Sequence, residues 1–393
     1  MIFILVFLVS FSCLVYSKVI SNTNVSIEMR LDTLVVFAQT EEETFSSLSD
    51  VTIPDVNDNK IKHVKIVGRL SKVERHAFLK LDSLITIDFG KTEVIASSAV
   101  DSCMNLRWIR MGSELKYLFD KPFVACESLE YVSVDDENVR YKTESGVIYD
   151  LKDSSILSVP ENFRESKFVV PQWISRVSDG CFSDCRNIKS ISMSKKVRYV
   201  GSRAFSGCRN LESVDLSDNI KQIQYLTFAN CVSLKSIRLP EALEYISTKK
   251  PFYNTNAKFE CGVSSLCKVV DGVLYSKDNR FLIYCPSYAA QKRHVIVEGT
   301  QFIYPYAFHN CLNINEIVFP ESLLSVGDIV TGEGAFVGCD NITDVYVKYD
   351  FTKVGRFYVG KNIKTYHVKK GDKDLFEYYV NRYSFEPIEC EEE

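Results

Sequence analysis

Thirteen cysteines are the residues of this 393-residue chain whose type could do chemistry. A thiol can form a disulfide, ligate zinc or act as a nucleophile, and each use needs a characteristic spacing or partner. No C-x-x-C or H-x-x-x-H spacing occurs, so no zinc site is predicted. No G-x-S-x-G, H-E-x-x-H, phosphate-binding loop or dinucleotide fingerprint occurs either. We therefore predict no catalytic residue, no metal site and no cofactor, in a chain that is not an enzyme.

Seven of the cysteines occupy the same place in a repeated segment. The segment reads "AFSGCRNLESVDL" over Ala204–Leu216. Near-copies of it begin at Ala77, Ala99, Pro122, Cys181, Thr227, Ala307 and Ala335. A spacing of 23 residues recurs between frame cysteines, as in Cys185, Cys208 and Cys231, and Leu81 takes the cysteine's place in the first copy. A period of this length is typical of a solenoid, in which each coil buries its apolar face against its neighbours.

The repeated frame predicts the secondary structure of each coil. In C-x-x-L-x-x-I-x-L the last three apolar positions alternate, which is typical of a short strand with every second side chain inward. Stacked coils would join these strands in a parallel sheet, and we expect the Ala-Phe stretch to form the opposite wall as a helical turn or short helix. The predicted fold class is an α/β solenoid, with a parallel β-sheet along one side of the coils and short helices or turns along the other.

Two longer gaps between frame cysteines hold a second repeated segment. The segment "SGVIYDLKDSSILSVP" from Ser145 matches "DGVLYSKDNRFLIYCP" from Asp271, and both contain alternating apolar residues around a Lys-Asp turn. This pattern predicts a β-hairpin inserted in a coil, near residues 138–160 and again near residues 268–286.

The first seventeen residues, "MIFILVFLVSFSCLVYS", carry no charged side chain and end in small residues suited to signal-peptide cleavage. The alternative is a signal anchor that stays in the membrane, although the stretch is near the lower length limit for a span. No later stretch reaches eighteen apolar residues, so no membrane span is predicted after signal removal. We expect a secreted or extracellular-surface protein. Its predicted parts are a signal peptide (1–17), an N-terminal cap (18–60), the repeats (61–347) and a C-terminal cap with an acidic tail (348–393).

For a secreted chain the frame cysteines raise the question of disulfides. Neighbours in a stacked column would have parallel Cα–Cβ bonds, a poor geometry for a disulfide, and free cysteine is often a buried residue. We therefore predict buried thiols in the frame, with disulfides between them as the alternative. The frame positions are Cys103, Cys126, Cys185, Cys208, Cys231, Cys311 and Cys339. Cys261 and Cys267 lie outside the frame and are the predicted disulfide pair.

The bulk composition describes a folded chain with little net charge. Hydrophobic residues make up 46% of the sequence, enough for a well-buried core. A formal net charge of −4 and a pI near 5.9 provide no basic field, so we expect no nucleic-acid partner.

The eight copies resemble the leucine-rich repeats of BspA-like surface proteins, a family found in oral bacteria and parasitic protists. The resemblance covers roughly residues 61–347, including the "DGVLYSKD" insertion. It implies a curved leucine-rich-repeat solenoid, with the parallel β-sheet on its concave face and short helices or turns on its convex face. It also implies a protein that is secreted or at the cell surface and takes part in adhesion to host matrix or to other cells. The sequence departs from the surface-anchored members in having no C-terminal apolar span.

In each predicted strand, two positions beside the central apolar residue face the concave side, and their residue types vary from coil to coil. A fixed scaffold with variable exposed positions is typical of a binding surface. Trp108, Arg110 and Tyr131 on adjacent coils are residue types enriched in binding hot spots, and the alternative is that the aromatic residues only suit β-structure. The predicted partner-binding residues are Trp108, Arg110, Tyr131, Ser213, Asp215, Arg238, Asp344 and Tyr346.

Two N-x-S/T sequons, at Asn24 and Asn341, are candidate glycosylation sites. Asn341 stands two residues after a frame cysteine, as do Asn105, Asn187 and Asn210, which equally suits a turn asparagine that is bonded to backbone.

The predicted function is that of a non-enzymatic, secreted or cell-surface binding protein with a protein or extracellular-matrix ligand. A first alternative is a secreted inhibitor or immune decoy that binds a soluble target. A second alternative is an enzyme whose site cannot be recognised from the sequence.

Overall fold

The structure is a computed structural model that describes residues 15–19, 25–38, 44–45, 61–262, 266–328, 333–350, 352, 359, 361–381 and 389–392. The chain forms two compact units, Met1–Ile188 and Lys189–Glu393, called unit 1 and unit 2. Most of the predicted signal peptide and the sequon at Asn24 lie outside the described residues.

Unit 1 is built from short strands. Its described strands are β1 (Val15–Val19), β2 (Val25–Arg30), β3 (Thr33–Ala38), β4 (Thr44–Phe45), β5 (His63–Val67), β6 (Arg69–Val73), β7 (Phe78–Leu79), β8 (Thr86–Asp88), β9 (Lys91–Ile95), β10 (Val100–Asp101), β11 (Trp108–Met111), β12 (Tyr117–Leu118), β13 (Phe123–Val124), β14 (Tyr131–Val134), β15 (Tyr141–Glu144), β16 (Val147–Asp150), β17 (Ser155–Ser158), β18 (Lys167–Val169) and β19 (Arg176–Val177).

One side of unit 1 is a sheet with the strand order β1-β2-β3-β5-β8-β11-β14. The pairs β1–β2 and β2–β3 are antiparallel, and from β3 onward the neighbours are parallel, with one strand per coil. In β11, Ile109 and Met111 are buried while Trp108 and Arg110 are exposed. The predicted alternation thus holds in this parallel sheet, and its buried residues join one core cluster.

Unit 2 repeats this organisation. Its described elements are β20 (Ser190–Ser192), β21 (Tyr199–Val200), β22 (Ser213–Asp215), β23 (Gln222–Ile223), β24 (Ser236–Leu239), β25 (Tyr245–Ile246), β26 (Lys258–Cys261), β27 (Cys267–Val270), β28 (Val273–Ser276), β29 (Phe281–Tyr284), β30 (Arg293–Val295), β31 (Phe302–Ile303), β32 (Glu316–Phe319), β33 (Ser325–Val326), β34 (Asp344–Val347), β35 (Thr365–Val368), α1 (Lys373–Asn381) and β36 (Glu389–Glu392). Parallel strands follow the orders β20-β22-β24-β26 and β30-β32-β34-β35-β36, so part of the predicted acidic tail is a strand.

The described coils form a β-solenoid, and the predicted α/β character is not confirmed, because their Ala-Phe stretches are turns, one of the two predicted forms, and two-residue strands rather than short helices. Every second backbone N–H group in the stretch around Phe205 donates to the next coil, from Phe205 to the Thr227 carbonyl (3.0 Å) and from Gly207 to the Ala229 carbonyl (2.8 Å). Arg203 (φ 57°) and Gly207 (φ 77°) also adopt the left-handed conformation, which a right-handed helix cannot contain. The N–H groups in between close single turns within the stretch, from Ser206 to the Arg203 carbonyl (3.0 Å) and from Cys208 to the Phe205 carbonyl (3.1 Å). With every second N–H used by the next coil and left-handed residues between the turns, the stretch does not continue into a helix.

The cysteines of the repeated frame lie next to the backbone hydrogen bonds that join the Ala-Phe stretches of neighbouring coils. All seven frame cysteines are buried with free thiols. The Cys231 thiol donates to the carbonyl of Phe205 in the preceding coil (Sγ to O, 3.1 Å), and burial raises the pKa of Cys231 to about 12, which keeps it protonated. Thr255 replaces cysteine in the next coil, and its hydroxyl makes the same bond to the Phe228 carbonyl (2.5 Å). The frame position therefore suits a small side chain that can donate one weak hydrogen bond.

Each unit also contains three successive antiparallel strands where the second repeated segment lies. In unit 1, β15 pairs with β16 and β16 with β17; in unit 2, β27 pairs with β28 and β28 with β29. Both β15–β16 and β27–β28 turn at a glycine with positive φ, Gly146 (83°) and Gly272 (84°). Both three-stranded ladders continue into a parallel coil strand, β19 in unit 1 and β31 in unit 2.

The described part of unit 2 includes a nine-residue helix, α1, near its C-terminal end. Phe376 of this helix is buried, with its ring centroid 5.2 Å from that of Tyr366 in β35, whereas Leu375 is exposed. In the part of the chain that the structure describes, no helix is long and apolar enough to span a membrane.

Candidate functional site

The exposed positions of β8, β11 and β14 form a surface that we call the unit 1 strand face. Register places Trp108 directly opposite Tyr131. Their ring centroids are 5.2 Å apart with the ring planes tilted by 45°, and the side chains remain 52% and 41% exposed. Two large aromatic side chains, held rigidly and left in solvent, are available to pack against a partner.

Arg110 holds a fixed position beside this aromatic pair. Its guanidinium contacts Asp88 on β8 (3.4 Å) and Asp135 just after β14 (3.2 Å), while just over half of its side chain stays exposed. The same face continues to β5, where the His63 Nδ1 lies 2.8 Å from the Thr86 hydroxyl oxygen. The structure thus brings the three predicted residues of unit 1 together on one surface.

In unit 2, Ser213 and Asp215 lie on β22, and Arg238 lies on the neighbouring strand β24. All three side chains are exposed, as predicted. Arg238 bonds to Asp218 (2.8 Å) and Glu241 (3.2 Å), so its charge is already balanced by two carboxylates of its own unit. Surface ion pairs of this kind contribute little to stability.

Asp344 and Tyr346 lie on β34 within a cluster that the sequence did not reveal. The Tyr346 ring stacks on the His367 ring of β35, with the centroids 4.2 Å apart. The guanidinium carbon of Arg293 lies over the Tyr346 ring, 4.1 Å from its centroid. Although burial raises it, hydrogen bonds from Thr343 and His367 bring the pKa of Asp344 below its usual value. The sequence did not predict this cluster, because Arg293 and His367 lie outside the eight copies of the frame.

A buried carboxyl group, Glu161, lies after the hairpin of unit 1. It is 9% exposed, and it accepts hydrogen bonds from the backbone N–H groups of Cys126 and Ala125. Burial and the nearby Asp184 carboxylate raise the pKa of Glu161 to about 7, while those N–H groups and the Lys121 charge act in the opposite direction. In the preceding coil, Ser102 stands where this coil has Ala125, and its N–H donates to the Val124 carbonyl of the next coil (2.9 Å). The Glu161 carboxyl group therefore replaces the backbone carbonyl that would accept the Ala125 N–H in a regular coil.

This raised pKa predicts a pH-dependent stability. The folded protein holds the Glu161 proton up to about pH 7, whereas the unfolded chain releases it near the ordinary value of 4.5. The stability from this group is therefore complete below pH 4.5 and is lost as the pH rises through about 7. We expect Glu161→Gln, which keeps the acceptor oxygen, to gain about 2 kcal/mol over wild type between pH 5 and pH 8 in urea unfolding. The exposed Glu137→Gln is the control, and parallel pH curves for wild type and Glu161→Gln would contradict the assignment.

The remaining predicted sites are modifications. Cys261 ends β26 and Cys267 begins β27, with their Sγ atoms 2.7 Å apart, and the disulfide between them stays a prediction. Asn341 is exposed, but its amide donates to the Leu312 carbonyl of the preceding coil (2.8 Å), as the Asn105 amide does to Asp82 (2.7 Å). Glycosylation of Asn341 would therefore compete with this bond. In the described ranges, no group of three or more His, Cys, Asp or Glu side chains is placed to hold a metal ion.

Several solved structures are similar to this chain at low sequence identity. A leucine-rich cell surface protein of Faecalibacterium prausnitzii is 14% identical, with 86% of this chain and 94% of that chain covered and a TM-score of 0.37. The pneumococcal vaccine antigen PcpA is 13% identical, with 96% and 98% covered and a TM-score of 0.40. The leucine-rich repeat protein of T. pallidum is 17% identical, with 62% and 94% covered and a TM-score of 0.24. No curated protein sequence matches the chain.

The repeats themselves match a known family. The BspA type leucine rich repeat region matches in six copies, over residues 56–165, 158–271 and 286–390. These ranges cover most of the chain and contain the coils, the frame cysteines and the strand face described above. The chain therefore belongs to the BspA-type leucine-rich-repeat family.

Proposed function

We propose that this protein is a non-enzymatic, secreted or cell-surface binding protein whose unit 1 strand face docks a protein of the extracellular matrix. The observation that carries the proposal is the exposed Trp108–Tyr131 pair, 5.2 Å between centroids, on a rigid parallel sheet. Membership of a leucine-rich-repeat family is consistent with a protein-binding role.

The physical support is the low entropic cost of using this face. The strand backbone is fixed by the ladder on both sides of β11, and the Arg110 guanidinium is held between two carboxylates. A partner would therefore order few additional side chains on this protein when it binds. Trp, Tyr and Arg are also the residue types that most often dominate interface energies.

The test is binding of the full chain to a panel of purified matrix proteins, measured one at a time on a surface. We expect the Trp108→Ala, Tyr131→Ala double variant to weaken binding at least roughly tenfold, because each residue is placed as a hot spot. The Phe119→Ala variant is the matched control, since Phe119 is an aromatic residue of the same unit that is 50% exposed but lies outside the strand face. Full-strength binding by the double variant would overturn the proposal, as would binding to none of the panel.

Fluorescence offers an independent readout of the same contact. The chain has two tryptophans, Trp108 and Trp173, so a Trp173→Phe variant emits from Trp108 alone. We expect its emission to shift to shorter wavelength when a bound partner removes water from the indole. Binding without any change in Trp108 emission would place the interface elsewhere.

A further inference from the structure

A cavity of about 390 Å³ opens in unit 2 beside the strands β27–β29. Three aromatic residues, Tyr245, Phe281 and Tyr304, line it together with two acidic residues, Glu244 and Asp278. The Glu244 carboxylate is ion-paired with the Lys221 ammonium group (2.6 Å), and the Asp278 carboxylate accepts hydrogen bonds from the Ser276 hydroxyl (2.6 Å) and the Arg280 N–H (3.0 Å). Its volume is within the range of roughly 300–1,000 Å³ that is usual for ligand sites. The strand face proposed above does not include these residues.

Unit 1 contains the same hairpin backbone, and there a side chain of the protein itself occupies the volume that is open in unit 2. The Leu151 N–H donates to the Arg140 carbonyl (2.8 Å), and in unit 2 the Lys277 N–H donates to the Leu266 carbonyl (2.8 Å). Counting from the turn glycines Gly146 and Gly272, these are the same positions of the two hairpins. Leu266 in unit 2 therefore stands where unit 1 has Arg140.

In unit 1 the guanidinium of Arg140 fills the place. It lies 5.0 Å from the ring centroid of Tyr117 and bonds to the Asp150 carboxylate through Nε (3.0 Å) and Nη2 (2.9 Å). Its Nη1 donates to the Lys116 carbonyl (3.0 Å). A cation between an aromatic face, a carboxylate and a carbonyl is a stable arrangement even when it is largely removed from water.

Unit 2 keeps the aromatic residue and loses the cation. Tyr245 occupies the place of Tyr117 in an equivalent two-residue strand, while Leu266 replaces the arginine. The carboxylate of Glu244 replaces an ammonium group, Lys116, since both residues donate their N–H to the preceding coil in the same way. Asp278 likewise stands where the same count from the glycine gives Lys152 in unit 1.

The new aromatic walls are also substitutions at equivalent positions. Tyr304 donates its N–H to Leu282 (3.0 Å) as Ser178 does to Ile156 (3.0 Å), so a tyrosine replaces a serine there. Phe281, the first residue of β29, likewise replaces a serine of β17. Unit 2 thus presents three aromatic residues, the Asp278 carboxylate and the Lys221-paired Glu244 carboxylate around an open volume where unit 1 holds its own guanidinium.

We propose that this cavity binds the guanidinium group of an arginine side chain presented by a partner protein. The proposal rests on the proposed function in taking the ligand to be part of a protein. Cation–π contact with the aromatic faces and hydrogen bonds to carboxylates are the same interactions that hold Arg140 within unit 1. Three cations of unit 2 oppose a bound cation: Lys277 lines the cavity, Lys221 pairs with Glu244, and the Arg280 guanidinium lies 5.8 Å from the Phe281 ring centroid. The faces of Tyr245 and Tyr304, the Asp278 carboxylate and the shape of the site must therefore provide the selectivity for a guanidinium.

The first test uses the full chain and an acetylated, amidated peptide, Gly-Gly-Arg-Gly-Gly, with a citrulline peptide as its neutral isostere. Titration followed by calorimetry or by tyrosine NMR signals should give saturable binding of the arginine peptide and at least about tenfold weaker binding of the citrulline peptide. Equal binding of the two peptides would overturn the proposal, since the site would then not select a cation. Absence of saturable binding of the arginine peptide up to about 10 mM would also overturn it.

The second test fills the cavity with the side chains of unit 1. The Leu266→Arg, Ser276→Asp double variant recreates the Arg140–Asp150 pair and should weaken peptide binding at least about tenfold, as should the milder Tyr304→Ser if the double variant does not fold. Unchanged affinity in the folded variant would overturn the proposal. The Trp108→Ala, Tyr131→Ala variant should bind the peptide normally. Peptide binding without matrix binding would therefore mean that only the proposed function fails, and the reverse result would mean that only this inference fails.

Discussion

Replacing Phe228 by alanine is expected to lower the free energy of unfolding by about 3–5 kcal/mol, measured by urea denaturation. The Phe228 side chain is fully buried and lies between the rings of Phe205 (5.3 Å) and Phe252 (6.1 Å) of the neighbouring coils, both in stacked orientation. Removing the middle ring leaves a cavity that rigid backbone ladders on both sides prevent from closing, so the transfer and cavity costs both apply.

The matched control is Phe119→Ala, because Phe119 is half exposed and its removal opens no internal cavity. We expect it to change the free energy of unfolding by less than about 1 kcal/mol. A Phe228→Leu variant should fall between the two, because leucine fills part of the volume. Equal losses of unfolding free energy for Phe228→Ala and Phe119→Ala would contradict a large contribution of the stacked Phe205, Phe228 and Phe252 rings to the stability of unit 2.

The second large effect is expected for Asn138→Ala in unit 1, at about 3–4 kcal/mol in the same measurement. The Asn138 amide is buried and donates to the carbonyls of Ser113 (3.0 Å) and Leu115 (2.9 Å). Its oxygen accepts the N–H groups of Arg140 (3.0 Å) and Tyr141 (2.8 Å), where the chain enters the hairpin. Alanine would leave these four backbone groups without a partner in a place that water reaches poorly.

Asn105→Ala is the control for this prediction, since Asn105 is exposed and its amide donates one hydrogen bond, to the Asp82 carbonyl (2.7 Å). Its loss should cost about 0.5–1 kcal/mol because water can replace the missing partner. A loss of only this size for Asn138→Ala would contradict the role of Asn138 as the connection between the hairpin and the preceding coil.

The strand side of each coil could be predicted residue by residue. The frame places Ile109 inward and Trp108 and Arg110 outward, and the structure shows this pattern in β11. The prediction succeeds because a strand alternates with a period of two wherever one side of it is buried, so the local pattern alone decides which side chains face the core.

The turn side of each coil could not be predicted in the same way. The Ala-Phe stretch has the composition of a short helix, but every second N–H group bonds to the next coil, as Phe205 does to Thr227, and the groups between them close single turns. Whether a backbone donor bonds within its own segment or to a neighbour depends on what packs against it, and no local propensity contains that information.

The sequence by itself determined the repeat, its period, the buried frame and the family, because these follow from residue types that recur at fixed spacing. Only the tertiary structure decided which side chains pack beside the two hairpins, β15–β16 and β27–β28, that interrupt the repeat. Arg140 fills one break and Leu266 leaves the other open, and the acceptor for Ala125 is the side chain of Glu161 rather than a coil carbonyl. These outcomes depend on contacts between residues that are distant in sequence and do not recur, so they appear only when the chain is folded.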